Sequence, residues 1–209
     1  MSTAILYYVH DPMCSWCWGF RRSWDHLCAA LPNTVKVVNV VGGLAADSEQ
    51  AMPLEQQATI AGYWRDVAER TGASFNFDFW RDCQPRRSTY PACRAVLAAR
   101  RQGAELAMID AIQRAYYLRA MNPSDNSTLI DLAAELNLDT AQFSNDLSSA
   151  EIEQELHNDF ALRRQLGVRS FPSLVLVHGN KLNAIDIDYQ SHAPMLEAIC
   201  RTASLESQH

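Results

Sequence analysis

The stretch Asp11-Pro12-Met13-Cys14-Ser15-Trp16-Cys17-Trp18-Gly19-Phe20 decides how the rest of this 209-residue chain is read. Before it, Ala4-Ile5-Leu6-Tyr7-Tyr8-Val9 is β-branched, aromatic and too continuously apolar for a half-exposed strand, which predicts a buried parallel strand. Asp11-Pro12 ends that strand, because proline donates no hydrogen bond and restricts the residue before it. From Cys14 the period changes: Cys17, Phe20, Trp24, Leu27 and Leu31 recur at helical spacing, with Arg21, Arg22 and Asp25 between them. Pro32-Asn33 stops the helix, and Val35–Val41 reads as a second strand closed by Gly42-Gly43. Strand, helix and strand in this order form a βαβ unit with a right-handed crossover.

No further strand signal follows until Ser173. Helical patterning fills the interval: Ile60, Trp64 and Val67; Ala92, Val96 and Ala99; Leu106, Ile109, Ile112 and Tyr116; Leu129, Leu132, Ala133 and Leu136. A short turn around Phe143 and Leu147 comes next. The last helix of the interval is expected to open on a capping box of Ser148 with Glu151 and to run through Ile152, Leu156 and Phe160. Arg163 and Arg164 suit its negative end, and Gly167 suits a left-handed stop. Ser173–His178 is then a strand, Gly179-Asn180 a two-residue turn and Lys181–Asp186 its hairpin partner. Leu196, Ile199 and Cys200 mark a closing helix, and Ser204–His209 a polar tail. The fold class is α/β, a β-α-β … β-β-α frame spanning 1–50 plus 165–209, with a helical domain, 51–164, inserted between the second and third strands.

Cys14 and Cys17 sit where the strand turns into the helix. At a first helical turn a thiolate faces unpaired backbone N–H groups and the positive helix end, so Cys14 is expected to be acidic and nucleophilic. Cys17, one turn deeper, begins the buried stripe, so it is the shielded sulfur that resolves a mixed disulfide. The competing reading of a CxxC is half a zinc site. His10 completes a trio with the two cysteines, but no second CxxC or HxxxH pair offers a fourth ligand, and no metal or cofactor is expected. Cys28, Cys83, Cys93 and Cys200 are scattered and read as buried thiols acting as small apolar residues.

Residues 11–20 resemble the active-site segment of the DsbA-like branch of the thioredoxin-fold family. Gly167-Val168-Arg169-Ser170-Phe171-Pro172-Ser173 resembles that family's cis-proline loop. The helical insertion also falls where the family carries one, and the cytoplasmic FrnE-type group is the nearest in character. The resemblance implies a thioredoxin fold, Cys14 as nucleophile, Cys17 as resolving thiol and Pro172 as the cis-proline beside them. It departs at two positions. Relatives often have Pro where Ser15 stands, in the dipeptide that tunes redox potential, and many carry an acid on the first strand where this chain has Tyr8. A cis Phe171–Pro172 bond is expected to leave the Phe171 backbone N–H and C=O to pair with an extended substrate. The implied activity is thiol–disulfide exchange on protein or small-molecule partners, glutathione among them. The alternatives are a kappa-class glutathione-dependent isomerase or transferase, whose members usually have Ser at the Cys14 position, and a non-catalytic metal-binding module.

Composition narrows the partners. With 18 Lys and Arg against 24 Asp and Glu, the net charge of −6 argues against a nucleic-acid binder, which needs a basic surface. Apolar runs such as Val37–Val41, interrupted by Asn39, fall far short of a bilayer span, and Met1–Ile5 carries no leader pattern, so a soluble cytoplasmic protein is expected. Trp24 reads as core, and Trp16 as an apolar rim for substrate. His10 reads either as a cation stabilising the Cys14 thiolate or as a polar strand-end residue. Between Ala104 and Phe160 eleven acids face only Arg114 and Arg119, whereas Arg81–Arg101 holds six arginines and one acid. The default for both is a solvated face; the sharper reading is that the arginines bind substrate carboxylates.

Overall fold

The computed structural model describes residues 4–179 and 181–205. Its centre is a four-stranded mixed sheet in the order β2-β1-β3-β4, formed by β1 (Ala4–His10), β2 (Val35–Val41), β3 (Ser173–His178) and β4 (Lys181–Ile185). β1 runs parallel to β2, with Leu6 opposite Val37, and antiparallel to β3, with Leu6 opposite Leu176. β3 and β4 form the antiparallel hairpin. Asn180, half of the expected turn, and residues 206–209 of the expected tail lie outside the described residues.

Both faces of β1 are covered, which explains its unbroken apolar run. Leu6 and Tyr8 pack with Phe20, Trp24 and Leu27 of α1 (Ser15–Ala30) and with Met195 and Ile199 of α9 (Ala193–Leu205). Val9 points the other way, toward Val40, Leu166, Val168 and Val175. α9 runs through Leu205, so the chain stays helical past Ser204, where a tail was expected.

Seven helices lie between β2 and β3: α2 (Leu54–Thr71), α3 (Phe79–Asp82), α4 (Tyr90–Arg101), α5 (Glu105–Leu118), α6 (Asn126–Glu135), α7 (Thr140–Leu147) and α8 (Ala150–Gln165). They enclose a core of their own, with α4 at its centre: Ala92, Cys93 and Ala95–Ala99 are all fully buried. Met13 and Val41 join this core from the sheet side, and α8 is tied to β2 by the Asp159 carboxylate, which accepts from the Val41 N–H at 2.9 Å.

Three expectations are corrected here. The cap of α8 is Ser149, not Ser148. Ser149 Oγ accepts from the Ile152 N–H at 3.1 Å, while Ser148 is spent closing α7 through its own N–H to the Asn145 carbonyl. Leu106 is 64% exposed, so the buried face of α5, which includes Met108, Ile109, Ile112 and Tyr116, does not include it. The Arg81–Arg101 run is mostly neither a solvated face nor free for ligand, because its arginines pair with the acids of neighbouring segments. Arg94 grips Asp47 and Glu153, Arg100 meets Glu105 and Asp159, Arg101 meets Asp146 and Glu155, and Arg86 holds Asp125. Six acids of the acidic run, Glu105, Asp125, Asp146, Glu153, Glu155 and Asp159, thus pair with arginines of the basic run.

Gly42 and Gly43 join the sheet to this helical layer. A Cβ at Gly42 would overlap the Phe171 ring; at Gly43, which has φ +65°, it would overlap the Phe160 ring. Both aromatic rings therefore rest directly on backbone.

Candidate active site

Cys14 is the N-cap residue of α1, with extended backbone angles (φ −84°, ψ 118°), and its own N–H donates to the Asp11 carbonyl at 3.0 Å. No acidic side chain stands in the first turn of α1 to oppose an anion there. Cys14 is 7% exposed and Cys17 0%, so the two sulfurs differ in access in the order the helix geometry requires. The Cys17 thiol donates to the Cys14 sulfur, and with the backbone N–H groups of Cys17 and Trp16 this holds Cys14 below the ordinary thiol range against the opposing pull of burial. Burial, and then the adjacent Cys14 sulfur, push Cys17 well above that range. All six cysteines are free thiols. The expectation that the other four are buried holds for Cys93 only: Cys28 is exposed, and Cys83 and Cys200 are partly so.

The Phe171–Pro172 peptide bond is cis, and Cys14 Sγ lies 3.6 Å from the Phe171 carbonyl oxygen. That carbonyl is therefore not free, as expected from sequence, but accepts the Cys14 thiol. Phe171, Trp16 and Ser15 all line a cavity of about 350 Å³ that opens onto Cys14. Pro172 is buried behind it and lines a neighbouring pocket with Gly167, Val168 and Ile185. Trp16 is held by the edge of Tyr189, ring centroids 5.4 Å apart, and by the Arg70 guanidinium 5.1 Å above its ring. Trp24 is core, and Trp18 stacks on Tyr117 while its indole N–H donates to the Ser74 carbonyl.

His10 does not supply a charge. It is fully buried and stacked on Tyr8 at 4.8 Å, and neither ring nitrogen has a hydrogen-bond partner among the described residues. Burial, with Arg100 and Arg21 adding to it, lowers its pKa to about 3, so the imidazole is neutral and the cationic role is excluded. Among the described residues no three His, Cys, Asp or Glu side chains are grouped to hold a metal. Between pH 6.5 and about 3 the unfolded chain binds a proton at His10 that the native state refuses, so His10 makes stability fall as pH drops through that window and leaves it flat above. Between pH 7 and 4.5, urea unfolding of His10→Phe against the parent should show the variant gaining about 2.5 kcal/mol relative to the parent. A difference that does not change with pH would refute a neutral, buried His10.

Sequence reasoning missed Asp11 as a functional group. Its carboxylate is fully buried and accepts from the Met13 N–H (2.8 Å), the Leu44 N–H (2.7 Å), the Thr89 hydroxyl (2.7 Å) and the Cys93 thiol (3.6 Å). Burial raises its pKa while those donors oppose the rise. The only signal available was its place three residues before Cys14; its distal partners are far away in sequence. Tyr8, where the resemblance would allow an acid, has its hydroxyl pushed well above its ordinary range by burial and by the two cysteine sulfurs. It stays protonated and cannot take a proton from Cys17 as a carboxylate would.

The family model described as Thioredoxin matches residues 7–195. A solved structure from Nitrosomonas europaea, described as a candidate protein disulfide isomerase, is 27% identical, superposes with a TM-score of 0.82 and covers 98% of both chains. DsbM, a cytosolic disulfide reductase from Pseudomonas aeruginosa, is 25% identical with a TM-score of 0.79 over 96% of this chain and 99% of its own, and has also been solved with GSH. The ClpXP adapter protein SpxH of Bacillus subtilis is 25% identical over 174 residues, 81% of this chain but 56% of SpxH. The chain thus spans little more than half the length of the curated relatives it matches. Among the described residues no helix is long and apolar enough to cross a membrane.

Proposed function

The chain belongs to the thioredoxin family, and from that premise we propose that it is a cytosolic thiol–disulfide oxidoreductase with Cys14 as nucleophile and Cys17 as resolving thiol. One observation carries the reading: Cys14, with its pKa lowered, stands at the helix start on the wall of a cavity, and Cys17 lies buried behind it as its hydrogen-bond donor. The Cys14 thiolate attacks one sulfur of a substrate disulfide, forming a mixed disulfide and expelling one thiolate. Cys17 then attacks the Cys14 sulfur, releasing the second substrate thiol and closing the Cys14–Cys17 disulfide. The Cys17 proton goes to the departing thiolate. Two electrons pass from the dithiol to the substrate, and the same steps reversed let a thiol pair reduce the enzyme. Phe171, whose carbonyl faces Cys14, and Trp16 form the edge along which the substrate lies. The likeness to a cytosolic disulfide reductase solved with GSH supports a cytosolic setting and a thiol of the glutathione kind as one partner.

The test is to expose reduced protein to a small disulfide, quench in acid, alkylate in denaturant and map the peptides. Cys14 and Cys17 should be linked, with Cys28, Cys83, Cys93 and Cys200 alkylated. A link from Cys14 to Cys83 or Cys93, or six alkylated thiols, would refute the mechanism. The reduction potential of the same pair then fixes the direction in which it works.

A further inference from the structure

We propose that Arg87 and Arg169 form a carboxylate-recognition site beside Cys14, making a small, carboxylate-bearing disulfide or thiol the preferred substrate; this rests on the oxidoreductase reading above. The chain carries a net charge of −6, yet the Cys14 cavity is lined by three arginines, Arg86, Arg87 and Arg169, and by no Asp or Glu among the described residues. Arg86 is committed: it meets the Asp125 carboxylate at 2.7 Å and donates to the Ser124 carbonyl at 2.7 Å. Arg87 and Arg169 are different. Both are exposed, and neither makes a hydrogen bond or ion pair with any described residue, although Arg81, Arg94, Arg100 and Arg101 of the same run all have acidic partners. Exposed arginines without partners are ordinary on a protein surface; these two are set apart by sharing a cavity with the nucleophile.

They also come from different parts of the fold. Arg87 lies on the loop between α3 and α4, and Arg169 on the loop from α8 to Phe171. A ligand held by both is fixed at two points, and a planar guanidinium pairs with a carboxylate through two parallel N–H···O bonds, which sets orientation as well as charge. The rest of the lining includes apolar side chains such as Leu44, Ile60 and Tyr63, suited to the uncharged stem of such a ligand. A volume of about 350 Å³ lies at the small-molecule end of the range for binding sites.

Single-turnover oxidation of the reduced protein, followed by tryptophan fluorescence, separates the half-saturating concentration from the plateau rate. The two probes are glutathione disulfide, which is anionic, and bis(2-hydroxyethyl) disulfide, which is neutral. Arg87→Ala and Arg169→Ala should each raise the half-saturating concentration of glutathione disulfide about five- to tenfold, and the double variant more, at an unchanged plateau rate. The neutral disulfide should change by less than about twofold, and Arg→Lys variants should recover part of the loss. Equal losses on both probes, or none on either, would overturn the proposal. Calorimetric binding of S-methylglutathione, which cannot exchange, needs no redox chemistry. Binding by the parent that the double variant loses would uphold the arginine site even if neither disulfide oxidised the protein, an outcome that would sink the oxidoreductase reading alone. A parent that binds no S-methylglutathione would overturn the arginine site while leaving turnover of the neutral disulfide to support the redox reading.

Discussion

Cys14→Ser is expected to bring turnover of any disulfide substrate to the uncatalysed background, whereas Cys17→Ser is expected to accumulate a covalent mixed disulfide. The asymmetry follows from the environment of each sulfur. Cys14 reaches the cavity and has its thiolate favoured by the Cys17 thiol and by the N–H groups of the first helical turn, while Cys17 is wholly buried and held protonated. A serine hydroxyl at position 14 cannot replace a thiolate in exchange chemistry, so no residual route exists. In Cys17→Ser the first attack still occurs, but no neighbouring sulfur releases the product. Peptide mapping by mass spectrometry reads both outcomes: an adduct of one substrate half at Cys14 in Cys17→Ser, and none at Cys17 in Cys14→Ser. Because the Cys17 thiol is itself the leading cause of Cys14's acidity, alkylation of a Cys17→Ala protein, which keeps no donor at that position, should have a higher pH midpoint with iodoacetamide than the parent. The parent midpoint should itself lie below the ordinary thiol value of about 8.5. An adduct at Cys17 in Cys14→Ser, or a parent midpoint at or above that value, would reverse the assignment of roles.

The second large effect is expected at Asp11. Asp11→Ala leaves the Met13 and Leu44 N–H groups without their acceptor and the Thr89 hydroxyl with only a long contact to the Ala45 carbonyl, 3.4 Å, around a carboxylate that was itself fully buried. At about 1–3 kcal/mol for each of these two N–H groups left unsatisfied, a total loss of about 2–6 kcal/mol is expected, a large share of the stability of a domain. Asp11→Asn keeps one acceptor oxygen and removes the charge, so it should destabilise less. Its effect on the sulfurs has a definite sign: the Asp11 carboxylate raises both Cys14 and Cys17, so the Asn variant should alkylate at Cys14 with a lower pH midpoint than the parent. Urea unfolding and the iodoacetamide profile measure the two effects separately. A loss below about 1 kcal/mol in Asp11→Ala would show that the carboxylate is not the staple of this turn. A midpoint that rises in Asp11→Asn would show that its charge does not act on Cys14.

The elements that could be read from the chain were those whose pattern is local. β1 and β3 stand out because both sheet faces bury them, β2 because Val35–Val41 is a β-branched run between Pro32-Asn33 and Gly42-Gly43, and α1 because Phe20, Trp24 and Leu27 keep helical spacing behind a strand-ending Asp11-Pro12. α3 could not be read in this way, since Phe79–Asp82 is a single turn with no period to detect. Cys14 and Cys17 were legible because three residues place both at one helix start. The contacts that shape their surroundings join residues remote in sequence: Asp11 with Leu44, Thr89 and Cys93, Arg94 with Asp47 and Glu153, and Phe171 seated on Gly42. At His10 the choice was open for a related reason. It is the strand-end residue that one of its two readings gave, but its neutrality depends on a layer of helices that no local pattern shows.

The cavity walls divide unequally along the chain. The reacting sulfur and the Phe171 carbonyl belong to the sheet-side frame, whereas Ile60, Tyr63, Trp64 and Tyr116 come from the helices inserted between β2 and β3, and Arg87 from the loop between α3 and α4. What the sulfur can do is therefore written in one stretch of sequence, and what it meets is drawn partly from another. Drift within the inserted helices can exchange one guest for another while the helix start that makes Cys14 reactive stays untouched, so a single exchange chemistry can be handed from substrate to substrate without being reinvented.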